Sequence, residues 1–151
     1  MSILAKQSEV NPTVDFWLKS NAKQTTSPFF QDGSEIGNTP IATSPITVYT
    51  ENFVAPDDGK LVVVGTVTFN NKIANDTVFT VTLTDGTTPT ASTVRNTGAS
   101  GVDLYRTASA IFTRTFTKGQ TATISLTVAS SVPSASCFYA FPGLQSMFSP
   151  S

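Results

Sequence analysis

The chain has no histidine and only one cysteine, Cys137. Without histidine it lacks the commonest general base, and no nucleophile has an evident activator. A lone thiol can form neither an intramolecular disulfide nor a paired-cysteine metal site. Between Ser136 and Phe138, Cys137 reads as a small buried hydrophobe. Charge is scarce as well: 13% of the residues are charged and the net charge is −1 at pH 7. Such a chain has no field to hold a polyanion, and no basic-aromatic cluster replaces it, so nucleic acid is not an expected partner. No apolar run approaches the roughly 18 residues of a membrane span, and Met1 to Gln7 do not form a secretory signal. Synthesis in the cytoplasm, without a membrane anchor, is the expectation.

Threonine, by contrast, is abundant, at about one residue in six. Thr121, Thr123, Ser125 and Thr127 alternate with Ala122, Ile124, Leu126 and Val128 directly after the turn at Lys118-Gly119. Successive side chains of a strand point to opposite faces, so this run has one apolar face for a core and one hydroxyl face. The same alternation recurs at Thr80 to Thr84 and at Thr66 to Phe69. Strands are expected at 46–54, 61–69, 78–84, 104–116, 120–128 and 137–141, with a short edge strand at 87–93. Turns fall at Pro56-Asp57-Asp58-Gly59, at Asn70-Asn71-Lys72, at Asp85-Gly86 and at Lys118-Gly119. No fixed-period repeat is present, which excludes a solenoid or propeller. The body is therefore expected to be an all-β, antiparallel sandwich over residues 45–148, followed by a loose tail at 149–151.

Residues 1–44 read as an N-terminal arm. Asn11 and Pro12 supply a helix cap and first helical position, and Val14, Trp17 and Leu18 follow at i, i+3 and i+4. A helix over 12–19 is too short to stand alone in water, so its apolar stripe needs a surface to dock on. A Ser/Thr/Gly/Pro-rich loop follows, interrupted by Phe29 and Phe30.

Two stretches carry a family resemblance. Phe53 to Phe69, in which an aromatic, Pro56 and Gly59 precede a long core strand, resembles tumour necrosis factor-like and complement-type jelly rolls. Thr115 to Leu126 resembles their strand, turn and strand, with Gln120 in place of an acid, and Phe138 to Leu144 resembles their closing aromatic strand. Lys60 departs from the pattern, which has an aromatic there. The resemblance implies a jelly-roll β-sandwich and a homotrimer, with Tyr139 and Phe141 near the threefold axis; as ordinary core aromatics these two would have no such role. A small, Thr-rich jelly roll with an arm also resembles the decoration, or cement, proteins of tailed-phage capsids.

The acids Asp57, Asp58, Asp85 and Asp103 all stand in turns, where their side chains bond nearby backbone. No phosphate loop, metal set or cofactor motif is present, and an enzyme is not expected. The leading expectation is a structural virion protein on the capsid surface that stabilises a phage shell. Its arm would supply Val14, Phe16, Trp17, Leu18, Phe29 and Phe30 as contacts to the major capsid protein, since large aromatics dominate interface energetics. The alternative is a receptor- or glycan-binding knob of a viral fibre, using loops at 86–90 or 96–103.

Overall fold

The computed structural model of the chain describes residues 25–32, 39–72, 75–97, 104–133 and 137–151. Among these residues, nine strands form two antiparallel sheets: β1 (Phe30–Asp32), β2 (Thr39–Pro40), β3 (Ile46–Val54), β4 (Gly59–Asn71), β5 (Asp76–Thr84), β6 (Thr90–Thr97), β7 (Tyr105–Phe116), β8 (Thr121–Ser130) and β9 (Cys137–Pro150). Sheet A has the order β1-β9-β4-β7, with β2 also paired to β9; sheet B has the order β3-β8-β5-β6. Because β1 and β2 together fill one edge position of sheet A, each sheet is four positions wide. From β2 onward consecutive strands alternate between the sheets except at the β5–β6 hairpin, which is the doubled Greek-key path of a jelly roll.

Alternation sets the core. In β4, Leu61, Val63, Val67 and Phe69 are fully buried, and in β8 so are Ile124, Leu126 and Val128, the apolar face expected from the sequence. Aromatic pairs bridge the sheets toward both ends. Phe53 of β3 packs edge-on against Phe116 of β7 at 5.1 Å between ring centroids, and Phe69 of β4 stacks on Phe79 of β5 at 4.7 Å. Between them the sheets meet at Gly65. A Cβ there would lie 2.6 Å from Leu126 Cδ1 and 3.2 Å from Leu83 Cδ2, so the absent side chain admits two leucines from the opposite sheet.

Several segments depart from the sequence reading, each for a local reason. Part of the 25–44 stretch, expected as arm, lies on the sheet. Thr26 exchanges backbone hydrogen bonds with Phe148, and β1 and β2 pair with β9. The residues expected as a loose tail complete β9 instead: Ser149 pairs with Lys60 and Pro150 with Gly59, and the Ser151 N–H donates to Asp58 O at 2.9 Å. Strand β9 survives Pro142 because a bulge opposite Val67 absorbs Phe141 and Pro142, after which pairing resumes at Gly143. The edge strand β6 begins at Thr90 rather than Thr87, because Asp85 captures the N–H groups of Thr87 and Thr88 and Pro89 has no donor. The helix expected at 12–19 lies outside the described residues.

Because Gly65 sits where Leu83 and Leu126 already fill the space, Gly65→Ala is expected to overpack the centre and cost about 1–3 kcal/mol in urea unfolding. Shortening the neighbour with Leu126→Ala should recover part of that loss, so the double variant should be less destabilised than the sum of the singles.

Candidate functional site

Seven of the nine strands carry Thr or Ser on their solvent phase, but the two outer faces differ in chemistry. On sheet B the outward phases of β3, β8, β5 and β6 present Thr50, Ser125 and Thr84 in one row and Thr47, Thr127, Thr82 and Ala91 in the next. This face is mostly hydroxylated, with the exposed Arg95–Asp76 ion pair on β6 and β5. At its end, beside the Asp85-Gly86 turn, lies a shallow open groove of about 570 Å³ lined by Asn52, Val54, Thr121 and Thr123. Thr123 Oγ1 donates to Asn52 Oδ1 at 2.9 Å.

The outer face of sheet A carries an apolar patch. Phe30 of β1, Gln145 of β9, Val64 of β4 and Ile111 of β7 stand side by side in one row, and Met147 and Val62 follow in the adjacent row. Ile111 is 61% exposed, Phe30 59% and Met147 49%. The patch follows from sequence: Val62 and Val64 occupy the strand phase opposite to Leu61 and Val63, so β4 is apolar on both faces. Core packing accounts for the inner phase only. Phe30, Ile111 and Met147 make this the more apolar of the two outer faces, with the polar Gln145 standing between Phe30 and Val64.

Both ends of the sandwich are closed by polar clusters. At one end, Asp85 of the β5–β6 turn pairs with Arg114 of β7, tying sheet B to sheet A; the guanidinium also lies 5.0 Å from the centre of the Phe116 ring. Asp85 Oδ1 accepts from the Thr87 N–H at 2.9 Å, the Thr87 hydroxyl at 2.7 Å and the Thr88 N–H at 3.0 Å. Burial opposes ionisation of this carboxyl, but those three donors together with Arg114 outweigh it and hold its pKa far below the ordinary 3.8. Its oxygens are committed to the fold. At the other end, Asn71 Nδ2 donates to Asn96 O at 2.9 Å, Asn96 Nδ2 donates to Leu104 O at 2.7 Å, and the Leu104 N–H donates to Asn70 Oδ1 at 3.2 Å. The Cys137 thiol sits buried against Asn71 Oδ1 at 3.8 Å. Among the described residues, no three His, Cys, Asp or Glu side chains converge on a possible metal position. No helix among them is long and apolar enough to cross a membrane.

The residues singled out from sequence are distributed as follows. Val14, Phe16, Trp17 and Leu18 lie outside the described residues. Phe29 and Phe30 diverge: Phe29 packs on the core, its N–H and carbonyl bonded to Ser146 Oγ at 3.0 and 2.9 Å, whereas Phe30 belongs to the outer patch of sheet A. Tyr139 is 7% exposed and packs in the core. Phe141 is 45% exposed and holds a backbone φ of 45°, a left-handed conformation that costs a bulky residue. Tyr49 is half-buried, and its hydroxyl donates to Pro142 O at 3.3 Å. Sequence reasoning did not single out Val62, Val64, Ile111 or Met147. The available signal was the run Leu61-Val62-Val63-Val64, apolar in both phases of one strand.

The two four-position sheets and their strand order define a jelly-roll β-sandwich. No protein-family model matches the chain, and no curated protein does. Among solved structures, a chain from the structure of infectious bursal disease virus, Gx strain, superposes with a TM-score of 0.53 at 15% identity, over 83% of this chain and 33% of that one. A chain from the T13 particle of the same virus matches with a TM-score of 0.48 at 19% identity, over 83% of this chain and 30% of that one. The chain thus spans about a third of the length of the viral proteins it matches, and the likeness is one of fold.

Removing Arg114 leaves the Asp85 carboxylate buried with only its turn donors. Arg114→Met is expected to cost about 2 kcal/mol at pH 7, below the value for a fully buried pair because the guanidinium is partly solvated. The folded-state pKa of Asp85 is depressed, so its contribution is complete above the unfolded-state value and fades as pH falls toward the folded one. The stability gap between wild type and Asp85→Asn should therefore narrow on acidification below about pH 4, as read by urea unfolding across pH.

Proposed function

We propose that this chain is a structural virion protein: a decoration or cement protein that binds the surface of a phage capsid and stabilises it as a homotrimer. The observation that carries the reading is the apolar patch on the outer face of sheet A, displayed on a jelly roll of the kind found in a virus particle. The arm supplies Val14, Phe16, Trp17 and Leu18 to the major capsid protein, and Phe30 extends that apolar surface on to the body. Phe29 supports this contact from beneath, through its place in the core. In the trimer, Phe141 is the residue of the closing strand that is free to meet a neighbouring subunit, while Tyr139 holds the strand that presents it. A non-enzymatic role accords with a chain that has no histidine and whose one buried acid among the described residues is spent on an ion pair. Several copies per trimer give avidity without requiring any single arm to bind tightly.

Deleting residues 1–24 should leave the two sheets folded, as judged by circular dichroism, and reduce co-sedimentation with capsids by at least about tenfold, the loss of about 1.4 kcal/mol or more per trimer. Undiminished co-sedimentation would reject the arm as the attachment device. Phe141→Gly separates assembly from folding. It relieves the left-handed strain, so thermal stability should hold or rise by about 1 kcal/mol, while the mass in sedimentation velocity should fall from trimer to monomer.

A further inference from the structure

Ser146 stands on the inward phase of β9 between Leu144 and Phe148 and is only 6% exposed. A buried hydroxyl is costly unless it is bonded, and apolar neighbours offer it no bond. Its partners come from the backbone of Phe29. Ser146 Oγ accepts the Phe29 N–H at 3.0 Å and donates to Phe29 O at 2.9 Å. The Ser146 N–H donates to the same carbonyl at 3.2 Å, and the Ser27 hydroxyl donates to Ser146 O at 2.8 Å. Pro28 has no N–H to give, so here side chains take over the join that a strand ladder would make.

The segment held in this way is thin. Within 25–30 only Phe29 is partly buried, packed against the core, and the other five residues are exposed. Its remaining ties to β9 are the Thr26–Phe148 pair of backbone bonds, at 2.8 and 2.7 Å, and the short ladder of β1. Strand β9 does not depend on it, because its other edge is paired with β4 from Cys137 to Pro150. Beyond β1 the chain is anchored separately: Thr39 and Pro40 pair with β9, and Ile41, 3% exposed, donates its N–H to Cys137 O at 2.9 Å. Few buried contacts, all on one edge, put a segment at the low end of local stability.

We propose that residues 25–32 are a strap that opens and closes on the edge of β9 as one unit, latched by the Ser146 hydroxyl, while both sheets stay closed. In the open state Phe29 leaves the core, water takes its place at Ser146, and β9 bares its backbone edge over 143–148, the kind of edge that another extended segment can pair with. The eight released residues reach over as much as about 28 Å from their anchor at β2. The inference concerns the free protein and takes nothing from the shell-binding reading.

Native-state hydrogen exchange of the full-length protein reads the strap through four amides, those of Thr26, Phe29, Ser146 and Phe148, each of which donates across the join. In wild type the four should share one protection factor, at least about tenfold below that of the slowest amides of β4 and β8. Ser146→Ala keeps the inward phase apolar but leaves the Phe29 N–H without its acceptor. It should lower the protection of Thr26 and Phe148, whose own bonds do not involve the Ser146 side chain, at least about tenfold, with β4 and β8 unchanged. Phe29→Ala removes the segment's one partly buried side chain and should open the same amides together. A loss confined to Phe29 in the Ser146→Ala protein would overturn the proposal, since it would show independent fraying. Equal losses in β4 and β8 would also overturn it, since the segment would then open only with the whole sandwich, as would strap amides in wild type as protected as the slowest of β4.

Discussion

The fold turns on the close approach of the two sheets at Gly65. Leu83 and Leu126 of sheet B press on the backbone of β4 where a side chain is missing, and aromatic pairs fill the wider spaces on either side. This interlock fixes which phase of β4 faces inward, because a one-residue slip would drive Val64 or Thr66 into the leucines and turn Leu61, Val63 and Val67 to solvent. The outward phase is then determined for the whole sheet, since β4 lies between β9 and β7 and sets the register of both. Val62 and Val64 consequently stand outside, beside Ile111 and Met147. Their apolar character owes nothing to the core, and so it requires a surface outside the core to explain it.

The ends of the sandwich are held by different means. Strand ladders satisfy the backbone in the middle of each sheet, but where the chain turns, donors and acceptors leave the ladder and need other partners. At one end Asp85 gathers the turn from Thr87 to Thr88 and reaches across to Arg114, so a single carboxylate both shapes a loop and joins the sheets. At the other, Asn70, Asn71 and Asn96 bond backbone groups of Asn75, Asn96 and Leu104. Amides suit that end because they provide donor and acceptor without the desolvation cost of a charge. Among the described residues, a part-buried ion pair thus serves where geometry demands a long reach and uncharged amides where it does not.

What could be read from the sequence follows how the physics is encoded. Alternation over 121–128 and 80–84 is a local pattern, and it located the buried faces of β8 and β5 without reference to any other strand. The edge formed by β1 and β2 has no such signature: two and three residues are too few for a period, and Pro40 argues against a strand. These segments exist because β9 offers them an unpaired edge, which is a long-range fact. The same holds for Ser149 and Pro150, whose polar and proline character suggests a tail until β4 pairs with them. The outer patch was legible in part. Leu61 to Val64 is apolar in both phases, but Phe30, Ile111 and Met147 are isolated residues that only the register brings together.

The contrast between the two outer faces bears on how such a molecule can be used. The hydroxyl face of sheet B keeps its water and gives a neighbour little apolar area, so it favours solvent. The patch of sheet A gains from being covered, by about 25 cal/mol for each Å² of apolar surface removed from water. One molecule thus has a face that gains little from association and a more apolar face that gains from being covered. The net charge of −1 reinforces this. Copies packed densely side by side accumulate little mutual repulsion, whereas a strongly charged domain would repel its neighbours as coverage increased. The scarcity of charge that gives a polyanion little to hold is therefore the same property that weakens repulsion between neighbouring copies.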